Sequence, residues 1–221
     1  MAQDITNVSV TKDAYECTIT VDCAVFGFQE GVLKLLLIQK LAEPFKGFWL
    51  LPGGIMQEGK TTEEAVKSVL LNLTGLKNIH QEQVYCYSDV NRHPLKRVIT
   101  ISYYGLINPE NHPIIKQKHV SGVEWFRLDE LPELGFDHEQ LIKDALNLLK
   151  SNVEERLILG ELLPARFTLT ELQDLFEALL DKKLDRRNFR KKVLQKGLLA
   201  NTGEKKVGAK GGPDLYTFLN K

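Results

Sequence analysis

The 221-residue chain has few cysteines, no net charge and no long apolar segment. Its 3 cysteines, Cys17, Cys23 and Cys86, are an odd number without metal-site spacing, so neither a disulfide framework nor a zinc cluster is expected. No apolar run reaches the roughly 18 residues that a membrane span needs. The opening segment MAQDITNVSV also lacks the basic and apolar parts of a signal peptide. We therefore expect reduced thiols, a cytoplasmic location and no membrane partner.

Charge is distributed unevenly along the chain although it sums to zero. From Pro164 onward there are 13 Lys and Arg against 7 Asp and Glu, whereas the preceding part has 16 against 22. A basic C-terminal module therefore follows a larger acidic one, in a chain whose length and 43% hydrophobic content fit one large and one small globular domain. The basic module is expected to bind a polyanion.

Hydrophobic periodicity in the first 150 residues predicts five strands and two helices. The predicted strands cover residues 18–28, 32–38, 84–89, 98–107 and 123–127. One helix follows an N-cap at Thr61 or Thr62, with Ala65 and Val69 on its apolar face, and another follows Asp137.

Residues 50–76, LLPGGIMQEGKTTEEAVKSVLLNLTGL, have the layout of a glycine loop leading into a helix. The stretch resembles the Nudix box, with which pyrophosphate-cleaving Nudix hydrolases hold a divalent metal. In family form the box reads G, five residues, E, seven residues, R-E-U-x-E-E-x-G-U, where U is aliphatic. Counted from Gly54, the functional positions hold Lys60, Ser68, Val69, Asn72 and Leu73, while Gly75 and Leu76 match.

These substitutions remove the chemistry that the box performs in hydrolases. Mg²⁺ prefers carboxylate oxygens, which Lys, Val, Asn and Leu side chains cannot supply. We therefore expect no catalytic residues, no metal, no cofactor and no enzymatic activity. A displaced metal site using Glu58, Glu63 and Glu64 is the alternative, although the last two also suit the first turn of a helix.

The basic module reads, in order, as helix, turn, basic helix and basic hairpin. Thr168 and Glu171 have the spacing of a capping box, Asp185 suits the N-cap of the second helix, and Gly197 follows that helix. This order is typical of a winged helix-turn-helix, whose second helix enters the DNA major groove. The alternative is a solvated basic helix face. The candidate DNA-binding residues are Thr168, Thr170, Arg186, Arg187, Asn188, Arg190, Lys191, Lys205, Lys206 and Lys210.

Taken whole, the chain resembles the Nudix-related transcriptional regulators. The segments that carry the resemblance are LLPGGI, NRHP with the following RVITISYYGL, and FTLTELQDLFEALLDKKLDRRNFRKK. The resemblance implies an α+β fold, with a Nudix-like α/β/α sandwich over residues 1–153 and a winged helix-turn-helix over residues 154–221. It also implies a homodimeric repressor that binds operator DNA under the control of a small effector.

The arabinose-responsive members of this family resemble the chain most, which predicts a repressor of carbohydrate utilisation with L-arabinose as effector. A box without metal ligands also favours a neutral sugar. The alternatives are an ADP-ribose-responsive regulator of NAD metabolism and a divergent Nudix hydrolase. The candidate effector-binding residues are Asp22, Gln39, Lys40, Trp49, Asp89, Arg92 and Arg97, each of which could instead serve the surface, an ion pair or, for Trp49, the core.

Overall fold

The first domain is built on a seven-stranded mixed sheet. A computed structural model describes residues 16–155, 158–208 and 211–219. The sheet strands are β1 (Thr18–Gln29), β2 (Val32–Lys40), β3 (Trp49–Leu50), β4 (Gly53–Ile55), β5 (His80–Tyr87), β6 (Val98–Ile107) and β7 (Val120–Arg127). The first two form the predicted antiparallel hairpin, which turns at Glu30 and Gly31, both with positive φ.

Strand β1 changes partners along one edge, and this opens a cleft. Its Val25–Gln29 end pairs with β2, whereas its Thr20–Asp22 part pairs with the short β4. The opposite edge pairs in parallel with β6 along its length, so that Thr20 lies beside Thr100. The cleft lies where β2 diverges from β1.

Alternation along β1 divides the core between two helices, α1 (Thr62–Thr74) and α2 (His138–Glu155). Val21, Cys23 and Val25 pack with the apolar face of α1, whereas Ala24, Phe26 and Phe28 share a core with α2. Thr61 is the N-cap of α1, and its hydroxyl and the Glu64 carboxylate form a capping box. The predicted α/β/α sandwich is therefore confirmed.

The second domain contains a short 3₁₀ helix (Ile158–Glu161), α3 (Leu169–Leu180), α4 (Arg186–Gln195), β8 (Leu199–Lys205) and β9 (Asp214–Phe218). Phe176 on α3 and Phe189 on α4 pack edge to face, with 5.2 Å between ring centroids. The predicted caps form at both helices: Thr168 with Glu171, and Asp185 with the amide of Asn188. The winged helix-turn-helix and the predicted fold class are confirmed.

Some strand boundaries differ from the predicted ones. Strand β5 begins four residues before the predicted 84, because His80–Gln83 pair with β6 although they are polar. Strand β8 continues to Lys205, so the first five residues of the expected wing tip, residues 201–214, belong to the strand. Helix α2 runs past residue 153, and a single buried cluster joins Phe26, Leu149 and Leu172, so the boundary at 153 stays a prediction. Within the described ranges, every helix is too short or too polar to cross a membrane.

Candidate effector cleft and DNA-binding surface

The cleft beside β1 has a volume of about 550 Å³, within the roughly 300–1,000 Å³ of small-molecule sites. Strands β1, β2, β4 and β6 contribute to it, together with the loop before β6 and the start of α2. Its polar and aromatic lining residues are Thr20, Asp22, Lys40, Glu43, Arg92, His93, Lys96, Thr100, His119, Phe136 and His138.

An ion pair between the buried Arg92 and the partly exposed Asp137 braces the floor of this cleft. The Arg92 side chain, 5% exposed, donates from Nε and Nη2 to the two carboxylate oxygens of Asp137, at 2.9 and 2.8 Å. Its Nη1 donates to the hydroxyl of Thr100, which also lies 2.6 Å from the Thr20 hydroxyl. Bidentate geometry makes such a pair strong and directional. The loop that carries Arg92 is thereby tied to the residue that precedes α2.

Asp22 and His138 lie together at the bottom of the cleft and are 8% and 4% exposed. The amide of Leu51 donates to His138 Nδ1 at 2.9 Å, and burial lowers the pKa of this imidazole to about 4. Burial raises the pKa of Asp22 to about 7, although the charge of Arg92 opposes the increase. A β-carbon at Gly53 would lie 1.6 Å from Asp22 Oδ1, so only glycine fits beside the carboxylate.

Aromatic and basic side chains lie nearer the opening. His93 stacks on Phe136, with centroids 5.3 Å apart and planes 19° apart, and Lys40 Nζ lies 5.1 Å from the Phe136 centroid. Lys96 is exposed at the cleft wall. Within the described part of the chain, neither lysine forms an ion pair. This end of the cleft is therefore flat, apolar and cationic.

Three of the predicted effector residues, Asp22, Lys40 and Arg92, meet in the cleft. The other four do not line it. Gln39 donates to the Gly47 carbonyl, Trp49 packs against Phe126, and Arg97 donates to the Asp89 carbonyl in a surface turn. The carboxylate of Asp89 accepts the amide of Asn91.

Sequence reasoning missed His138, His93, Phe136, Lys96 and the threonine pair Thr20 and Thr100. A usable signal was present, since Thr20 and Thr100 are small polar residues in largely apolar strands. Asp137 was expected only as a helix cap, yet both of its carboxylate oxygens are engaged by Arg92.

The degenerate Nudix box, residues 50–76, has a structural role in this fold. Lys60 Nζ donates to the Ser68 hydroxyl at 2.7 Å, Val69 is buried against Gly54, and Leu73 packs in the core. None of these groups fits a divalent metal, whose preferred ligands are carboxylate oxygens. Across the described ranges, no three His, Cys, Asp or Glu side chains are grouped to hold one. Glu64 caps α1, and Glu63 accepts from the Thr62 hydroxyl.

The second domain presents a basic surface on α4 and the wing. Arg186, Arg187, Asn188 and Lys191 are exposed on α4, while Lys205 and Lys206 are exposed on the wing. Arg186 and Arg190 both approach the Thr170 hydroxyl, at 3.5 and 3.4 Å. Lys205 and Lys206 pair with Asp214 and Glu171, at 3.4 and 2.7 Å.

Two predicted DNA-binding residues stand apart from this surface. Thr168 is 3% exposed and its hydroxyl is used in the α3 cap, so its position is structural. Lys210 lies outside the described residues.

Comparison with known proteins agrees with both halves of this architecture. The model of the NUDIX domain matches residues 18–145, and that of the NrtR DNA-binding winged helix domain matches residues 159–218. The ADPR responsive transcriptional repressor NtrR of Acinetobacter baylyi is 32% identical over 204 residues, which cover 90% of this chain and 81% of that protein. The chain belongs to the NrtR-type family of Nudix-related transcriptional regulators. An ADP-ribose pyrophosphatase of Methanocaldococcus jannaschii is 37% identical over 121 residues, or 55% of this chain and 70% of its own.

Solved structures of this NrtR-type family show the same arrangement. Shewanella oneidensis NrtR complexed with a 27mer DNA has a TM-score of 0.80 and 33% identity, covering 90% of this chain and 93% of that one. The NUDIX domain of the same protein complexed with ADP ribose has a TM-score of 0.57 and 31% identity, covering 63% and 92%. The predicted kinship with arabinose-responsive members, and with it the L-arabinose effector, is therefore wrong. The Acinetobacter baylyi repressor is described as ADPR responsive, and the Shewanella oneidensis NUDIX domain was solved in complex with ADP ribose.

Proposed function

We propose that this protein is a DNA-binding transcriptional repressor whose effector is ADP-ribose, held without hydrolysis in the cleft beside β1. The observation that carries the proposal is the cleft itself, where an aromatic shelf and two unpaired lysines lie next to a buried polar floor. A purine can stack on the aromatic shelf, a pyrophosphate can pair with the lysines, and a ribose can form hydrogen bonds with the polar floor.

Charge complementarity supports a dianionic ligand. Lys40 and Lys96 line the cleft, and Arg92 adds a third cation that is held by Asp137. Burial lowers the pKa of Lys40, and the nearby Glu43 carboxylate raises it. The effect of burial is larger, so the pKa of Lys40 lies below its usual value. A pyrophosphate placed between the lysines gains charge-assisted hydrogen bonds that a neutral sugar lacks. This is how the cleft can bind a nucleoside diphosphate without a metal.

We also propose that the protein does not hydrolyse the bound ADP-ribose. Metal-assisted cleavage needs carboxylate ligands beside the pyrophosphate. The box offers a Lys60–Ser68 hydrogen bond and the aliphatic Val69 and Leu73 instead. Incubation with ADP-ribose and Mg²⁺ should yield no more AMP than a protein-free blank. Sustained turnover would overturn this part of the proposal.

We infer operator recognition by α4, with the wing along the backbone. Arg186, Arg187 and Asn188 are exposed in the first turn of α4, where a recognition helix meets base edges.

We also propose a homodimer, because paired recognition helices read half-sites about 34–36 Å apart. Light scattering coupled to size exclusion should give twice the 25.1 kDa chain mass, and a monomeric mass would contradict this inference.

The function is tested by calorimetric titration of ADP-ribose into the wild-type chain, Lys96→Ala and Lys67→Ala. Lys96 lines the cleft, whereas Lys67 is exposed on α1 and controls for the loss of one positive charge. Lys96→Ala should weaken binding about 10-fold, the typical effect of removing one charged hydrogen bond. Lys67→Ala should match wild type. Absence of wild-type binding, or equal effects of both variants, would refute ADP-ribose as the ligand of this cleft.

A further inference from the structure

We propose that Glu177 on α3 is a positioning residue for DNA recognition. Together with Gln173 it fixes the turn between α3 and α4, and so sets the orientation of the recognition helix. This inference rests on the DNA-binding part of the proposed function.

The turn between the two helices is held through the backbone of Leu184. Its amide donates to Glu177 Oε1 at 3.0 Å, and its carbonyl accepts from Gln173 Nε2 at 2.9 Å. Gln173 Nε2 also donates to Glu177 Oε1 at 2.8 Å, so these two side chains, one helical turn apart, hold each other. Both backbone polar groups of Leu184 are therefore engaged by side chains of α3.

Leu184 is the residue before the N-cap of α4, so its position determines where the recognition helix begins. Asp185 follows it and accepts from the Asn188 amide at 2.8 Å. Arg186 and Arg187, which we assign to base edges, are the next two residues along the chain. A shift of Leu184 by about 1 Å would carry these side chains with it, and hydrogen bonds lengthened by that amount are lost.

An ionised carboxylate holds this turn. The Glu177 side chain is 10% exposed, and its Oε2 accepts from Lys183 Nζ at 2.7 Å. The hydrogen bonds to Glu177, above all that from Lys183, lower its pKa to about 2, so the side chain is charged at neutral pH. Hydrogen bonds to a charged group are roughly twice as strong as neutral ones. Replacing Glu177 should therefore loosen the turn.

The charge of Glu177 opposes DNA binding rather than supporting it. Both carboxylate oxygens are already used within the domain, and a carboxylate repels the phosphate backbone. Removal of a negative charge alone should thus strengthen association with DNA, to the same extent for any sequence. Loss of positioning should instead weaken binding, and only to the sequence that α4 reads. The two effects have opposite signs.

Fluorescence anisotropy of the full chain with two duplexes separates these effects. One duplex is recovered by in vitro selection with the wild-type chain, and the other has the same composition in shuffled order. Titrations are made in the effector state, with or without ADP-ribose, that binds DNA more tightly. Glu177→Ala removes every acceptor, whereas Glu177→Gln removes the charge but keeps an oxygen that can accept from the Leu184 amide.

Asp174→Asn is the matched control, because Asp174 is exposed on the same helix and its replacement removes the same charge. Thermal unfolding of each variant verifies that it is folded at the assay temperature. If Glu177→Ala is unfolded, Glu177→Gln carries the test.

Glu177→Ala should lose about 10- to 100-fold for the selected duplex, as expected for lost charged hydrogen bonds, and keep its affinity for the shuffled one. Glu177→Gln should lose less, and Asp174→Asn should bind both duplexes at least as tightly as wild type. Equal losses for both duplexes, or Glu177 variants that behave like Asp174→Asn, would overturn the role of Glu177 while leaving DNA binding in place. A wild-type chain that selects no sequence would overturn the proposed function as well.

Discussion

Replacing Asp22 by Asn should stabilise the ligand-free protein, and increasingly so as the pH rises. The carboxyl group has a pKa of about 7 in the folded chain because it is buried, against 3.8 when it is exposed by unfolding. Below pH 3.8 both states are protonated, so the residue causes no penalty. Between 3.8 and about 7 only the unfolded state releases the proton, which favours unfolding. The wild-type chain therefore loses stability through this interval, whereas the Asn variant does not.

The size of the effect follows from the two pKa values. Their difference, multiplied by about 1.36 kcal/mol per pH unit, gives a penalty of about 4 kcal/mol above pH 7. About 3 kcal/mol of it develops between pH 5 and pH 8. His138 has a pKa of about 4 in the folded chain and 6.5 when exposed, so it also changes stability over this range, but it does so equally in both proteins.

Urea unfolding at several pH values between 5 and 8 measures this pH-dependent difference in stability directly. The free energy of unfolding of Asp22→Asn minus that of wild type should grow by about 3 kcal/mol over the range. Asp89→Asn removes a carboxylate from the exposed turn and corrects for any general effect of charge. A difference that stays constant with pH would refute the view that Asp22 is a buried, strained carboxylate.

Three further predictions concern other parts of the molecule. Arg92→Ala should cost about 2–3 kcal/mol in urea unfolding because it leaves the partly exposed Asp137 carboxylate without its partner; a change under 1 kcal/mol would contradict a bracing role. Thr168→Ala should cost about 1 kcal/mol through loss of the α3 cap, with ADP-ribose affinity unchanged; weaker ADP-ribose binding would show that the domains are not separable in this way. Arg187→Ala should abolish specific DNA binding while ADP-ribose binding survives. Lys191→Ala should lower the salt dependence of DNA binding by about one ion. Unaltered DNA binding in both variants would exclude α4 as the recognition helix.

Local signals were sufficient to predict the second domain. A capping box, an N-cap Asp185 and the apolar spacing that buries Phe176 and Phe189 all act within one or two helical turns. The sheet hairpin and the loss of the box carboxylates could be predicted for the same reason, since each depends on neighbouring residues. The fold was therefore accessible to pattern reasoning.

The cleft was accessible only in part, because its groups come from distant segments. Arg92 meets Asp137, and His138 meets both Leu51 and Asp22, through pairings that no periodicity encodes. The sequence does not show which edge of the sheet a polar residue beside a strand faces, so three of the seven predicted residues line the cleft and four do not.

The effector was misjudged for a chemical reason. Loss of metal ligands at Lys60, Val69 and Asn72 argues against catalysis, but it does not argue for a neutral ligand. Lysines at the cleft wall, Lys40 and Lys96, can neutralise a pyrophosphate without any metal.

The central claim, that ADP-ribose bound without cleavage controls DNA binding, is tested most directly by fluorescence anisotropy. The full chain would be titrated onto a duplex recovered from random sequence by in vitro selection, with and without saturating ADP-ribose, and the nucleotide then analysed by chromatography. The proposal predicts a change in DNA affinity of about 5-fold or more, the usual scale of coupling between two sites, with ADP-ribose recovered intact. An unchanged DNA affinity, or conversion of ADP-ribose to AMP, would contradict it.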